Sequence, residues 1–232
     1  DGRHRIGIDT TIFYSEAPLC QFYYADALER EGHFDEKTAR AWHQAGVDWN
    51  DLGERAIPGY DGSTFRLNSK EDHEAAEQKA KDALEKLSPG LRKKLFDAKF
   101  AKLTPREQKA WNTRENDRTP VQQQLARNLE PDLDITYDEV ARRITGEHHD
   151  AAKKLAEDAN RAREAAQRVQ IARERVNFDY WKQRAEMEQT PEALNTRKAI
   201  YQADEAMARA DLVAAQKYYE EGLKGWRKLL DK

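Results

Sequence analysis

Glu147-His148-His149-Asp150 is the stretch of the sequence whose residue types together suit a metal ion. Imidazole and carboxylate groups are ligands for zinc, nickel and iron. The spacing is poor, because adjacent helical residues point away from each other, and acidic residues are also typical of a solvated helix N-terminus. His148 and His149 are therefore the candidates for a metal or pH-responsive site, with a solvated helix start as the alternative.

Aromatic residues form the second group of candidates. Trp42 and Trp49 lie seven residues apart on one predicted helix, and Tyr23 and Tyr24 lie on the helix before it. Such side chains line grooves that hold ligands or peptides, and they also build cores. We take these four residues and Tyr60, in the irregular stretch 55–68, as candidates for binding a protein or peptide partner, with a core role as the alternative.

Catalytic patterns do not occur in the sequence. There is no Gly-x-Ser-x-Gly elbow and no glycine-rich phosphate loop. Cys20 is the single cysteine, so the chain can form no internal disulfide and no cysteine-based zinc or haem site. Its apolar neighbours Leu19 and Phe22 predict a buried structural thiol. We expect no cofactor and no enzymatic activity.

Charge is abundant and mixed. The chain has 40 basic and 43 acidic residues, giving a net charge of -3. Arg92-Lys93-Lys94 and the arginines within 161–175 could contact nucleic acid, but glutamates lie three or four residues from the second group and predict ion pairs along a helix. We expect no nucleic-acid partner. No apolar run approaches the roughly 18 residues of a membrane-spanning helix.

Helix starts are clearly marked, and they predict an all-α fold. Ser or Thr followed by Pro marks an N-cap and first helical position, and Thr104, Thr119 and Thr136 have Glu or Gln three residues on, as in a capping box. The predicted helices cover 16–31, 36–52, 70–87, 89–101, 105–114, 120–130, 137–144, 147–189, 191–209 and 211–230.

Apolar residues in the last two fifths of the chain recur at steps of three and four. From Ala152 to Tyr180 and from Leu212 to Leu229 they form seams typical of helices packed side by side. We therefore expect 191–230 to fold back along 147–189 as long antiparallel helices. The expected regions are an N-terminal hairpin and loop over 1–68, short helices over 69–145 and the long hairpin over 146–232, or one elongated domain.

The C-terminal segment resembles a tetratricopeptide repeat. Ala210-Asp211-Leu212, Ala215, Tyr219 and Gly222-Leu223 fall where that family has its turn and second helix. Leu28, Gly32, Phe34 and Trp42 give a similar, looser pattern near the N-terminus. The resemblance implies helical hairpins that recognise a peptide or a partner helix.

The middle segment resembles helical stretches of large uncharacterised planctomycete proteins associated with the cell envelope and with cytochrome-like domains. The matching residues include Leu103-Thr104-Pro105, Ala110-Trp111 and Arg118-Thr119-Pro120. This resemblance implies an exported or membrane-anchored envelope protein. Since the chain begins at Asp1 rather than Met, we expect a piece of a longer protein.

The function expected from the sequence is a non-catalytic helical scaffold or protein–protein interaction domain. The alternative is a small-molecule or metal-binding helical domain, including an enzyme, which requires convergent polar residues in a pocket. Nucleic-acid binding is the third hypothesis, and it requires a steep dependence of affinity on salt.

Overall fold

The computed structural model describes residues 10–59 and 62–231, and the all-α prediction is confirmed for them. Eleven α-helices run through the described residues: α1 Thr10–Arg30, α2 Glu36–Glu54, α3 Lys70–Leu87, α4 Leu91–Phe100, α5 Pro105–Asn112, α6 Pro120–Leu133, α7 Tyr137–Arg143, α8 His149–Val176, α9 Phe178–Glu188, α10 Pro191–Ala208 and α11 Leu212–Leu230. None of these helices is both long enough and apolar enough to cross a membrane.

The described strands are confined to the stretch predicted to be irregular. β1 (Ile57–Pro58) and β2 (Thr64–Phe65) pair antiparallel, with Ile57 opposite Phe65. A short 3₁₀ helix over Leu67–Ser69 follows and leads into α3. Two further 3₁₀ turns cover Glu115–Asp117 and Gly146–His148.

The predicted capping boxes at Thr104 and Thr119 are confirmed. Thr104 Oγ1 accepts from the Glu107 amide at 3.4 Å, and the Glu107 carboxylate accepts from the Thr104 amide at 2.8 Å. Thr119 and Gln122 bond in the same reciprocal way. Each box satisfies amides that the helix itself leaves unpaired.

Two predictions for α1 are wrong. The helix predicted to start at residue 16 begins at Thr10, so Ser15 lies buried within it and donates from Oγ to the Ile12 carbonyl at 2.7 Å. Cys20 is exposed rather than buried. The buried residues Phe22, Ala25 and Leu28 define the inner face, and Cys20 falls outside it.

The predicted helix over 147–189 is interrupted at Asn177. This residue has φ 53 and ψ 40, a left-handed conformation, and it separates α8 from α9. Asn adopts that conformation more readily than most residues because its short polar side chain is tolerated there. Apolar spacing could not reveal the break, since Val176 and Phe178 on either side are both buried. Tyr180, predicted as the end of the seam, is exposed.

Contacts divide the chain into two compact units. The first unit contains the described residues up to Lys70 and those from Arg168 onward, and the second unit is Glu71–Gln167. The boundaries differ from the three regions expected from sequence, because the N-terminal hairpin and the C-terminal helices belong to the same unit. The boundary at 167 falls within α8.

The core of the first unit is aromatic. Trp42, Trp49, Phe22 and Phe178 are its largest fully buried side chains. The rings of Phe22 and Trp42 meet edge to face with centroids 4.7 Å apart. Aromatic side chains bury large areas, so this cluster holds together helices that are otherwise rich in charge.

The core of the second unit is formed by smaller side chains. Ala152, Ala156 and Ala159 of α8 pack with Ile135 and Val140, in a cluster completed by residues of α3 and α7. Alanine allows close approach of helices, and the predicted seam in this part of the chain is indeed buried except for Leu155, which is half-buried.

The most extensive helix pairing is that of α10 with α11. A Cβ atom at Gly222 would collide with Ile200, and one at Gly225 would collide with Thr196, so the two backbones lie very close. The pairing therefore differs from the one expected: α10 and α11 form the hairpin with each other, and α9 packs mainly against α2.

Candidate functional site

A cleft of about 710 Å³ opens in the first unit between α9, α10 and the end of α11. Its volume is in the range of sites that hold ligands or peptide side chains. It is lined by Tyr180, Gln183, Arg184, Glu186, Met187, Thr190, Glu192, Arg197, Leu229 and Leu230. The lining therefore combines apolar side chains with two arginines and two glutamates.

The corner between α9 and α10 fixes one wall of the cleft. Thr190 caps α10, accepting from the Ala193 amide at 3.2 Å, and Pro191 occupies the first helical position. The same hydroxyl donates to the Met187 carbonyl at 2.8 Å, which ties the end of α9 to the start of α10. The Thr-Pro start that the sequence shows thus positions the cleft residues on both helices.

Beneath the cleft lies a buried carboxylate held by two arginines. Glu188 is fully buried. Arg197 forms two hydrogen bonds with it, one of them from Nε to Oε2 at 3.2 Å. Arg184 Nε lies 3.5 Å from Glu188 Oε1. Burial requires such pairing, because an isolated charge in the interior is costly.

Glu29 on α1 is the second buried acid of this cluster. Its Oε1 accepts a hydrogen bond from Trp42 Nε1 at 2.7 Å, and its Oε2 lies 3.8 Å from Arg197 Nε. Burial raises the pKa of Glu29 to about 7 against the opposing hydrogen bond from Trp42, with the negative charge of Glu188 adding to the rise. The side chain therefore carries a proton for much of the time at neutral pH.

Arg197 is held in its charged form by the same cluster. Burial acts to lower the pKa of Arg197, but the hydrogen bonds and charge of Glu188, together with the charges of Glu29 and Asp26, raise it overall. Its guanidinium also lies over the Trp226 ring, 4.7 Å from the centroid. Arg197 is thus committed to partners within the protein.

Arg184 is likewise engaged. Its Nη1 donates to Tyr180 Oη at 3.2 Å, its Nη2 lies 3.8 Å from Asp26, and its guanidinium stacks over Phe22 at 4.8 Å. Glu186 and Glu192 differ from the arginines, since both are exposed and form no ion pair with the described residues. The unneutralised charge at the mouth of the cleft is negative.

An aromatic surface adjoins the cleft. Tyr180 and Tyr23 are exposed by 47% and 56%, and both contact the half-buried Trp181, with ring centroids 4.9 and 6.3 Å away. Tyr23 is one of the partner-binding candidates proposed from sequence. Tyr180 was predicted as part of a helix seam, yet it lines the cleft.

The other aromatic candidates have different positions. Trp42 and Trp49 are fully buried and present no surface to a partner in this structure. Tyr24 is exposed on α1 and does not line the cleft. Tyr60 lies outside the described residues. The groove expected from these five residues is therefore not formed by the two tryptophans, and a binding role for Tyr23 and Tyr24 remains a prediction.

The candidate metal ligands His148 and His149 lie in the second unit. Among the described residues, no three His, Cys, Asp or Glu side chains are placed to hold one metal ion. His149 Nδ1 is 2.9 Å from the Ile144 carbonyl, to which it donates. His148 Nε2 lies 3.6 Å from its neighbour Glu147. Both histidines therefore have partners typical of a helix start.

The buried ionic cluster was not found from sequence, although a signal for it exists. Glu29 follows Phe22 and Ala25 at steps of three and four, and Glu188 follows Ala185 at a step of three. A charged residue at an apolar position of a helix indicates either that the buried face was assigned wrongly or that the charge is buried and paired. Glu29 and Glu188 are buried and paired.

Comparisons with protein-family models, with curated proteins and with solved structures found no match.

Proposed function

We propose that this chain is a non-catalytic helical interaction domain that binds a basic segment with apolar side chains, contributed by a partner protein, in the cleft between α9, α10 and α11. The observation that carries the proposal is the combination of an exposed aromatic and apolar surface with acidic side chains that form no ion pair with any residue the structure describes. Exposed apolar surface of this kind marks sites of association.

Charge favours a basic partner. Arg184 and Arg197 are neutralised by buried acids, whereas Glu186 and Glu192 are not. A Lys or Arg side chain of the partner would find these carboxylates at the mouth of the cleft. It would also find the face of the Tyr180 ring, which attracts cations. Complementary charge supports selectivity and fast association more than raw affinity.

Apolar side chains of the partner would pack against the other walls. Met187 and Leu229 are half-buried, and Leu230 is exposed by 76%. Leu223 and Leu212 precede Leu230 on the same face of α11 and are also exposed. This row extends the apolar surface beyond the cleft, as a partner helix or an extended segment would require.

The resemblance to tetratricopeptide repeats remains part of the proposal. The two hairpins that carry it, α1–α2 and α10–α11, both belong to the first unit. Phe34, after α1, and Tyr201, on α10, place their rings 5.5 Å apart. Contact between hairpins of this kind supports a repeat-like arrangement that presents one continuous binding surface.

We also propose that the chain catalyses no reaction. The carboxyl of Glu29 accepts a hydrogen bond from Trp42 and lies within ion-pair distance of Arg197, and Glu188 is fully buried. Both carboxyl groups therefore stabilise the interior of the first unit. The side chains exposed at the cleft surface are left to contact a partner.

Selection of peptides tests the proposal. Random 16-residue peptides displayed on phage are selected on the purified chain, then compared on Met187→Ala and on Met207→Ala, a matched change on α10 outside the cleft. We expect enriched peptides to combine Lys or Arg with Leu, Phe or Trp, and to lose binding only on Met187→Ala. No enrichment, acidic peptides, or equal binding to both variants would overturn the proposal.

A further inference from the structure

A second cleft, of about 820 Å³, lies wholly within the second unit between α4, α6 and α8. It is independent of the cleft in the first unit. Its apolar part is formed by Phe96, Trp111, Leu133 and Ile135. Leu133 and Ile135 are buried, and the two aromatic side chains are half-buried with ring centroids 6.4 Å apart. A half-buried aromatic surface of this kind can bind a planar aromatic or an aliphatic group of a ligand.

Two of the cations that line this cleft are already engaged. Arg92 donates to the Ile135 carbonyl, lies 4.0 Å from Asp134, and stacks over the Tyr137 ring at 5.3 Å. Lys93 Nζ is 2.7 Å from Asp97. These contacts position Arg92 and Lys93 as walls of the cleft.

Two further arginines remain available. Arg127 on α6 and Arg163 on α8 are exposed, line the cleft, and form no ion pair with the described residues. Among the acids of the lining, Glu85 accepts from the Gly90 amide at 2.6 Å, and Glu130 is the carboxylate without a bond to a described residue. Counted over the whole lining, four basic side chains face three carboxylates, a surplus of one positive charge.

We propose that this cleft binds an amphipathic monocarboxylate, meaning one carboxylate on an apolar or aromatic body. The carboxylate would pair with Arg127 or Arg163, since a guanidinium matches carboxylate geometry with two parallel hydrogen bonds. The apolar body would lie against Phe96 and Trp111. The surplus of one charge accounts for a single anionic group rather than a polyanion.

Calorimetric titration with 2-naphthoate and with its uncharged counterpart 2-naphthamide tests the proposal. We expect the naphthoate to bind at least about tenfold more tightly, because a hydrogen bond to a charged group is worth about tenfold or more in affinity. Arg127→Gln and Arg163→Gln, separately or combined, should remove most of that difference. Arg142→Gln, an exposed arginine of α7 outside the cleft, should leave it unchanged.

The position of the bound naphthoate is checked by NMR, through the indole N–H resonance of Trp111, the one tryptophan of residues 71–167. It is assigned by its loss in Trp111→Phe, and naphthoate should shift it more than the other four indole resonances. The proposal is overturned if naphthoate does not bind at millimolar concentration, if the amide binds equally well, if neither arginine change weakens binding, or if the Trp111 resonance does not move.

Discussion

Trp42 and Glu29 are joined by a hydrogen bond of 2.7 Å between two side chains that water scarcely reaches. Trp42, predicted from sequence as a partner-binding residue, is thus the donor that stabilises the buried Glu29 on the neighbouring helix. Glu29 in turn lies near Arg197. Through this pair, α1 and α2 are connected to the charged cluster beneath the cleft.

Replacement of Glu29 by Gln should change how stability depends on pH. The pKa of Glu29 is about 7 in the folded chain and about 4.5 when exposed. Between these values the folded state binds more protons, so the free energy of unfolding falls as pH rises through this window and stays low above it. The shift corresponds to about 3 kcal/mol.

Urea denaturation at pH 4.5 and at pH 8 measures this effect. The difference in unfolding free energy between Glu29→Gln and the parent should move by about 3 kcal/mol in favour of the variant at pH 8. Gln can still accept from Trp42, so that contact is kept. Glu16→Gln, on an exposed position of the same helix, should show no such change. A constant difference for Glu29→Gln would show that the acid titrates normally.

The two buried tryptophans should respond differently to Phe. Trp42→Phe removes the donor to Glu29, whereas Trp49 Nε1 has no hydrogen-bond partner among the described residues. Both changes replace a buried indole by a smaller phenyl ring, but only Trp42→Phe leaves a buried acceptor, Glu29 Oε1, without its donor. We expect Trp42→Phe to cost roughly 1–2 kcal/mol more than Trp49→Phe in thermal or urea unfolding. Equal costs would contradict the hydrogen bond.

Glu188 should be essential to stability in a way that Glu186 is not. Glu188→Ala removes the buried carboxylate that Arg197 and Arg184 share, and leaves Arg197 with Glu29 and Arg184 with Asp26. Because both arginines keep a second partner and some access to water, we expect a loss of about 2–3 kcal/mol, less than the roughly 3–5 kcal/mol of a buried charge left with no partner. Glu186→Ala, two residues away and exposed, should change the unfolding free energy by under about 0.5 kcal/mol. Chemical denaturation of both variants measures the contrast, and similar effects would refute the buried pairing.

The turn between α10 and α11 offers a stabilising change. Ala210 has φ 60, and the amides of Ala210 and Asp211 bond back to Met207 and Ala206, both at 2.9 Å, in a Schellman turn. Ala210→Gly should stabilise the chain by about 1 kcal/mol, because glycine adopts this conformation without strain. Ala208→Gly, at the end of α10, should destabilise it by a comparable amount. A loss of thermal stability in Ala210→Gly would contradict the turn geometry.

Local signals in the sequence predicted the helices well. Thr104, Thr119 and Thr190 cap helices because their hydroxyls bond nearby amides, and such contacts depend on residues only three positions away. The break at Asn177 was not predicted, because apolar spacing continues across it and an asparagine alone does not mark a break, since Asn128 and Asn160 lie within helices.

The aromatic surface beside the cleft and the ionic cluster beneath it could not be predicted, because their members come from distant parts of the chain. Tyr23 meets Trp181, and Glu29 meets Arg197, across more than 150 residues. Trp42 was indistinguishable from a groove residue, since the same aromatic spacing is found in cores and in binding surfaces. Contacts between segments that are distant in the chain depend on tertiary packing, which local patterns in a single sequence do not reveal.

Charge exchange at the mouth of the cleft tests the proposed function most directly. A selected basic peptide, labelled with fluorescein, is titrated by anisotropy against the parent, against Glu186→Lys, and against Glu164→Lys, an exposed position of the second unit. We expect Glu186→Lys to weaken binding of the basic peptide about tenfold and Glu164→Lys to leave it unchanged. A second peptide, in which each Lys is replaced by Glu, should bind Glu186→Lys more tightly than the parent. Equal affinity of the basic peptide for all three proteins would contradict a partner bound in this cleft.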